Sequence, residues 1–261
     1  MSKESTGKTL VVASVLSVVC SIALAATVTL LKPIQTENKE LEKQRKILAA
    51  AAILPEGEGN KAQVNQEFAK LQRYLVNLDT GEFNQIKLDD PYDQRKAFKQ
   101  ETESIALTAE QDIASLRRRA NKADIYVVRD NTGKVEKMVL PVSGYGLWST
   151  LYGYLVLKSD ANTVVGITFV EQAETPGLGG EVDNPKWKAL WVNKQVYDAN
   201  GQTKLRLIKG NVDSSKPEAI HEVDALSGAT LTSNGVSNLV QFWMGDMGFK
   251  KFLTHVKEQG I

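Results

Sequence analysis

The stretch DALSGATLTSNGVSNLVQFW, residues 224–243, joins a loop of small residues to an amphipathic pattern. Its apolar residues follow the i, i+3, i+4, i+7 spacing of a helix with one buried face. These residues are Val236, Leu239, Val240 and Trp243. Thr232 or Ser233 precedes that spacing, and hydroxyl residues are favoured as helix N-caps. The sequence therefore predicts a buried helix that follows directly after the loop.

The hydroxyl of Thr230 would lie at the N-terminus of that helix. Unpaired backbone N–H groups and the positive end of the helix dipole favour a phosphate there. Gly228 and Ala229 add little side-chain bulk, so the backbone can approach a phosphate closely. The residues alone leave two interpretations open: a site where the hydroxyl takes and covalently holds a phosphate group, and an ordinary turn that caps a helix.

A second segment, ETPGLGG at 174–180, follows an apolar run at 164–170 that is typical of a strand. Its proline and glycines predict a loop whose free N–H groups can face a planar heterocycle. The dinucleotide-binding pattern Gly-x-Gly-x-x-Gly does not apply, because Gly177 and Gly179 fit it but position 182 is valine. A plain surface loop is the alternative.

A third segment, SGYGLWS at 143–149, places aromatic residues beside glycines. Tyr145 and Trp148 offer large rigid apolar area that suits a flat ring. The alternative is that both are core or edge-strand aromatics.

Together, and in their order along the chain from Gly144 to Thr230, the three segments resemble the FMN-binding domain family, in which the threonine of a Ser-Gly-Ala-Thr motif carries FMN through a phosphoester bond. The resemblance implies covalent FMN on Thr230, attached by a separate flavin transferase that reads a motif including Asp224 and Ser227. Gly228 and Ala229 complete that motif, and Leu178 is the candidate for apolar contact with the ring. The other residues implied to frame the ring are Gly144, Tyr145, Leu147, Trp148, Glu174, Thr175, Gly177 and Gly179. The neighbouring hydroxyls of Thr232 and Ser233 remain alternative acceptors.

The resemblance also implies a function. The chain would be a membrane-anchored electron carrier in a sodium-pumping NADH:quinone oxidoreductase, relaying electrons between the other subunits of this respiratory complex. It would carry no catalytic residues and no complete active site of its own. The alternatives are the equivalent subunit of an Rnf-type electron transport complex, a membrane-anchored flavin sensor or regulator, and an anchored scaffold in which these loops are only structural.

Composition excludes several other classes of function. The 261 residues carry a formal net charge of +1, which gives no nucleic-acid footprint. The single cysteine, Cys20, excludes an intrachain disulfide and a cysteine-based metal site. His221 and His255 lack ligand spacing, so we predict no metal site.

An uncharged run at 9–31 is long enough to span a bilayer. A removed signal peptide is the alternative, because Ala23-Leu24-Ala25 is similar to a cleavage site, but the apolar run is longer than a usual signal core. More basic residues follow the run than precede it, which by counting favours a cytoplasmic domain. The resemblance implies the opposite orientation, a single-pass protein of the bacterial inner membrane with a periplasmic domain. We follow the resemblance.

We therefore predict an α+β fold, in which a single transmembrane helix precedes a soluble FMN-binding domain with an antiparallel sheet and flanking helices. The predicted parts are a short cytoplasmic tail at 1–8, the transmembrane helix at 9–31, a helical N-terminal part at 32–123 and the FMN-binding core at 124–261.

Within those parts, the patterns predict individual elements. Helices are expected at 36–52, 62–73 and 101–121, the last ending in a solvated basic triplet at 117–119. Hairpin turns are expected at 131–134 and 159–162, and a late strand around Leu205 and Leu207.

Overall fold

The computed structural model describes residues 5–261, which divide into two compact units between Lys43 and Gln44. The first unit lies almost entirely in helix α1 (Thr6–Ala50), whose large apolar side chains between Leu10 and Ile34 are exposed. By length and composition α1 can cross a membrane. The helix predicted at 36–52 is the continuation of α1, which passes Pro33 without a break. Of the predicted tail at 1–8, residues 1–4 lie outside the described residues.

The second unit is built on a six-stranded sheet in the order β2-β1-β5-β6-β7-β8, and every neighbouring pair is antiparallel. Its strands are β1 (Gln72–Asn77), β2 (Phe83–Ile86), β5 (Lys122–Arg129), β6 (Val135–Tyr145), β7 (Thr150–Lys158) and β8 (Val164–Glu171). Two short ribbons stand apart from it, the antiparallel pair β3 (Ser104–Ala106) and β4 (Arg118–Ala120) and the parallel pair β9 (Arg206–Ile208) and β10 (Glu222–Asp224). The remaining helices are α2 (Lys61–Phe68), α3 (Gln94–Ala97), α4 (Pro185–Ala189), α5 (Thr230–Met244) and α6 (Lys250–Gln259), with 3₁₀ turns at Gly179–Asp183 and Pro217–His221.

The α+β prediction is confirmed, as are both hairpins and the late strand. Strands β5 and β6 flank the turn at 131–134, and β7 and β8 flank the turn at 159–162. These elements depend on local alternation and turn residues, which a sequence displays directly.

Helix α5 packs against β6 and β9 and closes the core. The four residues of its predicted apolar stripe are fully buried: Val236, Leu239, Val240 and Trp243. The Trp243 indole N–H donates to the Ser143 carbonyl of β6, with a nitrogen–oxygen distance of 2.7 Å. Burial of each such side chain contributes about 1.5–3 kcal/mol, so the helix that follows the Thr230 loop is firmly anchored to the sheet.

The predicted N-cap is wrong. Helix α5 begins at Thr230 with Ala229 as N-cap, so Thr232 and Ser233 lie inside its first turn. Both hydroxyls are buried and have partners outside the helix: Thr232 donates to Glu174, and Ser233 Oγ accepts from the N–H of Leu226. These contacts hold the first turn in place, and the helix therefore starts earlier than capping preferences suggest.

The prediction of a helix at 101–121 is also wrong. The segment forms β3 and β4, joined by a loop in which the Asp112 carboxylate accepts the N–H groups of Leu116 and Arg117. Ser115 and Arg117 have positive φ angles of 54° and 66°, which a helix cannot contain. Within the basic triplet, Arg119 is buried and pairs with Asp79 instead of ending a solvated helix.

The N-terminal part at 32–123 is therefore less helical than predicted. The helix expected at 62–73 ends at Phe68, and Gln72 already begins β1. Strands β1 and β2 both belong to the main sheet. The domain boundaries themselves remain predictions.

Replacing Gly235 by alanine tests the contact between α5 and β6. A Cβ at Gly235 would overlap the Tyr145 carbonyl oxygen and lie 3.1 Å from the Gly146 Cα. Glycine to alanine inside a helix normally stabilises by about 0.5–1 kcal/mol, but overpacking of this kind costs about 1–3 kcal/mol. We expect Gly235→Ala to lower the free energy of unfolding, measured by urea denaturation of the full chain in detergent.

The matched control is Asn238→Ala, one turn later on an exposed position of the same helix. Exposed substitutions usually change stability by less than about 0.5 kcal/mol. A more stable Gly235→Ala protein would contradict the close approach of α5 to β6.

Candidate functional site

Thr230 is the exposed first residue of the 15-residue helix α5. Its N-cap is Ala229, and no side chain of the described residues caps this helix. The N–H groups of the first turn are therefore left to other acceptors, and a helix N-terminus of this kind favours an anion. The arrangement places an exposed hydroxyl at a helix end that favours an anion.

The loop after β8 reaches this helix end. Gly228 has a φ of +71°, and a Cβ there would lie 3.0 Å from the Leu178 Cδ2 atom. A side chain at position 228 would therefore strain the backbone and displace Leu178. The small residues before Thr230 thus allow the two segments to lie side by side.

The loop that carries Leu178 is internally fixed. The N–H groups of Leu178 and Gly180 both donate to the Thr175 carbonyl, over 3.1 Å and 2.9 Å. Gly177 has a φ of +76°, which suits the third position of a type II turn after proline. Thr175, Gly177 and Leu178 are exposed, whereas Gly179 is buried.

Glu174 joins this loop to the segment after β6 and to α5. Its carboxylate accepts the backbone N–H groups of Leu147, Trp148 and Ser149, with the nearest distances of 3.1, 3.0 and 3.2 Å. It also accepts the hydroxyl of Thr232 over 2.6 Å. Glu174 is only 5% exposed. We call these five residues the Glu174 cluster.

Two glycines leave room for the Glu174 cluster. A Cβ at Gly146 would lie 2.7 Å from Glu174 Oε1, and a Cβ at Gly179 would lie 2.5 Å from Thr232 Oγ1. Gly144 serves another contact, since a Cβ there would lie 2.8 Å from the Leu239 Cβ on α5. Gly144, Gly146 and Gly179 are thus required for close packing, whereas a Cβ at Gly177 would meet no atom within 4 Å.

The ionised form of Glu174 is stabilised by its partners. Burial alone raises the pKa of this carboxyl, but the Thr232 hydroxyl and the three backbone N–H groups lower it by more. The net result is a pKa below the ordinary value for glutamate. Glu174 is therefore a carboxylate at neutral pH, and it holds three segments of the chain together.

Four exposed apolar side chains surround these contacts: Trp148, Tyr145, Leu178 and Leu147, with exposed fractions of 66%, 44%, 44% and 40%. The Tyr145 hydroxyl donates to the Trp148 carbonyl over 3.4 Å. The alternative that Tyr145 and Trp148 are core or edge-strand aromatics is wrong, because both are exposed, Tyr145 ends the inner strand β6, and Trp148 lies in the turn after it. Exposed apolar groups beside a helix N-terminus suit a ligand that has both a flat ring and a phosphate.

Asp224 and Ser227 differ in their surroundings. The Asp224 carboxylate accepts the N–H of Val212 over 2.7 Å, and its carbonyl accepts the indole N–H of Trp187 over 2.9 Å. Ser227 is exposed. Asp224 therefore fixes the start of the loop, and Ser227 stays accessible.

Sequence reasoning missed the contact between Thr232 and Glu174. The two residues are 58 positions apart, and no spacing rule joins a loop carboxylate to a helix hydroxyl at that separation. It also missed Gly146 and Gly235 as packing residues. A glycine within an otherwise regular helix was the available signal for Gly235, since such a glycine usually marks a close approach.

The two histidines, His221 and His255, form hydrogen bonds with residues outside this site. His221 Nδ1 is 2.8 Å from the Gln195 carbonyl oxygen, and His255 Nε2 is 3.0 Å from Gln259 Oε1. Among residues 5–261, no three histidine, cysteine or acidic side chains gather as metal ligands.

Replacing Glu174 by glutamine tests the carboxylate directly. A hydrogen bond to a charged group contributes about 1.5–3 kcal/mol, and the glutamine amide turns one acceptor into a donor. We expect Glu174→Gln to be less stable at pH 7 by roughly that amount, measured by urea unfolding.

The pH dependence of this loss follows from the lowered pKa of Glu174. Its stabilising effect is fully present above the pKa of the unfolded chain, about 4.3 for glutamate, and is lost as the pH falls through the lower folded value. The difference in free energy of unfolding between wild type and Glu174→Gln should become smaller over that interval. The control Glu218→Gln, at an exposed position, should unfold with nearly the wild-type free energy at any pH. A difference in free energy of unfolding that stays constant down to acid pH would contradict the role of the charge.

Comparison with known families identifies the domain that contains these residues. The model of the FMN-binding domain family matches residues 146–245. That range contains Thr230, the loop at 174–180 and all five members of the Glu174 cluster.

Relatives extend the similarity to the whole chain. The NqrC component of the Na(+)-translocating NADH-quinone reductase of Pseudomonas aeruginosa is 48% identical over 257 residues, which cover 98% of each protein. The same component from Yersinia pestis is 44% identical over 262 residues, covering 100% of this chain and 96% of the relative. The crystal structure of Shewanella oneidensis NqrC is 39% identical, has a TM-score of 0.77, and matches over 85% of this chain and all of that chain. The chain therefore belongs to the NqrC family of the Na(+)-translocating NADH-quinone reductases.

Proposed function

We propose that this chain is the electron-carrying flavoprotein subunit of a sodium-pumping NADH:quinone oxidoreductase and that it holds FMN through a phosphoester bond to Thr230. The observation that carries the proposal is the position of the Thr230 hydroxyl. It is exposed at the uncapped N-terminus of α5, beside the exposed apolar side chains of two neighbouring loops.

Burial separates Thr230 from the alternative acceptors. Thr232 and Ser233 are 1% and 3% exposed, and both hydroxyls are engaged in hydrogen bonds. In transfer from FAD, the hydroxyl oxygen would lose its proton and attack the phosphorus of the FMN half, the pyrophosphate bond would break, and AMP would leave. A transferase must reach that oxygen, so accessibility favours Thr230. Asp224 and Ser227 belong to the motif that the flavin transferase would read, and Ser227 is the exposed member of that pair.

The residues around Thr230 have distinct tasks in this proposal. The N–H groups of the first turn of α5 bind the phosphate, and Gly228 and Ala229 let the backbone approach it. Leu178 and Trp148 offer apolar surface to the ring and keep water from it, with Tyr145 and Leu147 beside them. The remaining residues of the predicted frame are Thr175 and Gly177, which are exposed, and Gly144, Glu174 and Gly179, which are buried and support the loops from within. FMN, once bound, supplies the electron transfer, and the protein supplies a fixed position for it.

The partners are the other subunits of the membrane complex, which would give and take the electrons. A covalent link suits a periplasmic carrier, because a lost FMN is not readily replaced outside the cytoplasm. Helix α1 would anchor the chain in the inner membrane as a single span. The relatives named above are reductase subunits, and this favours the sodium pump over an Rnf-type complex.

Thr230→Val tests the attachment. Valine has nearly the shape of threonine but no hydroxyl, so the covalent flavin should be lost while the fold remains. The measurement is flavin fluorescence on a denaturing gel of protein made in the native host, together with peptide mass mapping of the wild type. Thr254→Val, at an exposed threonine of α6, is the matched control and should keep its fluorescence.

Flavin retained on Thr230→Val would move the attachment to another residue. Host membranes that carry Thr230→Val should also lose sodium-stimulated NADH:quinone activity. Undiminished activity there would favour the sensor or regulator instead.

Labelling of intact cells tests the orientation. In a Cys20→Ser background, a membrane-impermeant maleimide should label Asn200→Cys, an exposed position of the second unit. Lys8→Cys, at the other end of the apolar run, should react only after the cells are permeabilised. The reverse pattern would place the domain in the cytoplasm, as counting of basic residues suggests.

A further inference from the structure

We infer that Glu174 is a positioning residue, which sets the first turn of α5 and the ring-facing loop at 147–149 in one fixed arrangement. The inference rests on the proposed attachment of FMN to Thr230. It assigns to Glu174 a task other than contact with the flavin, and it gives Thr232 a role in loading FMN although its hydroxyl is buried.

Both carboxylate oxygens of Glu174 accept from the loop at 147–149, and one of them also accepts from α5. Oε1 accepts from Trp148 and Ser149, over 3.0 Å and 3.2 Å. Oε2 accepts from the Thr232 hydroxyl over 2.6 Å. Leu147 donates to both oxygens, over 3.2 Å and 3.1 Å. A single planar group therefore links the loop to the helix with no intermediate residue.

These contacts determine which groups face outward. Because the N–H groups of the loop point inward to Glu174, the side chains of Leu147 and Trp148 are left exposed. Thr232 is two residues after Thr230 in the same helical turn, so a hydrogen bond that holds Thr232 also holds the backbone that carries the acceptor hydroxyl. The distance between the attachment point and the apolar groups is thereby fixed by one carboxylate.

The surroundings of Glu174 admit this arrangement and little else. Gly146 and Gly179 leave no space for a Cβ beside the carboxylate and the Thr232 hydroxyl. Ser233 adds a second restraint on the same turn, since its Oγ accepts the N–H of Leu226 in the loop before Thr230. The first turn of α5 is thus tied on one side to the loop at 174–180 and on the other to its own preceding loop.

The inference predicts that loss of the Thr232 hydroxyl disturbs FMN at Thr230. The variant is Thr232→Val, and Thr232→Ser restores the hydroxyl. The control is Ser237→Ala on the same helix, which removes an acceptor of the Leu207 N–H at 2.8 Å on the side of β9. Each full-length protein is incubated with flavin transferase and FAD, and the rate of covalent flavin incorporation and the visible circular dichroism of the bound flavin are recorded with a thermal melt.

We expect Thr232→Val to load at least about tenfold more slowly, the lower end of the range that corresponds to loss of one hydrogen bond to a charged group. Its flavin dichroism should change, because the ring is no longer held at one angle to the loop. Thr232→Ser should return both measurements toward wild type, and Ser237→Ala should leave both unchanged.

Three results would overturn the inference. They are a Thr232→Val protein with the loading rate and flavin dichroism of wild type, a Thr232→Ser protein as impaired as Thr232→Val, and a Ser237→Ala control with an equal defect. Absence of covalent flavin from the wild type is a separate result, which would overturn the proposed function and this inference with it.

Amide hydrogen exchange tests the same inference without any variant. The N–H groups of Leu147, Trp148 and Ser149 should exchange as slowly as those of neighbouring β6, although the loop is exposed. Exchange at the rate of an unprotected loop would overturn the inference, even if Thr232→Val failed to fold.

Discussion

The buried carboxylate of Glu174 is the interaction on which this site depends. An ionised group away from water requires donors, and here they come from a loop before it in the sequence and from a helix after it. The loop and the helix are brought there by different parts of the fold. The site therefore exists only when the sheet and α5 have come together, and it does not exist in any isolated segment.

Helix α5 combines a strongly held body with an open end. Its apolar face is fully buried against β6, while its first residue is exposed and its N-terminus has no side-chain cap. A side-chain cap would occupy the N–H groups that are otherwise free to bind an anion. The stability of the helix comes from tertiary packing, and this leaves its N-terminus available for function.

The elements that could be predicted are those whose signals are local. The hairpins at 131–134 and 159–162 and the apolar stripe of α5 follow from turn residues and periodicity. The segment at 101–121 has a composition that favours a helix, but a carboxylate at Asp112 and the pairing of β3 with β4 determine its structure. The predicted N-cap of α5 was wrong because contacts outside the segment override the local preference. The hydroxyls of Thr232 and Ser233 form hydrogen bonds with groups outside their own helix.

The sequence by itself determined the kind of cofactor site, through three short segments in a fixed order, and the candidate anchor, through an uncharged run long enough for a bilayer. Tertiary structure decided that Thr230, and not Thr232 or Ser233, has the accessible hydroxyl. It also decided that Glu174 accepts hydrogen bonds from both the loop at 147–149 and α5. The physical reason is distance along the chain. Periodicity and turn chemistry act over a few residues, whereas the burial of Thr232 and the charge of Glu174 depend on groups 58 residues apart that meet only in the folded protein.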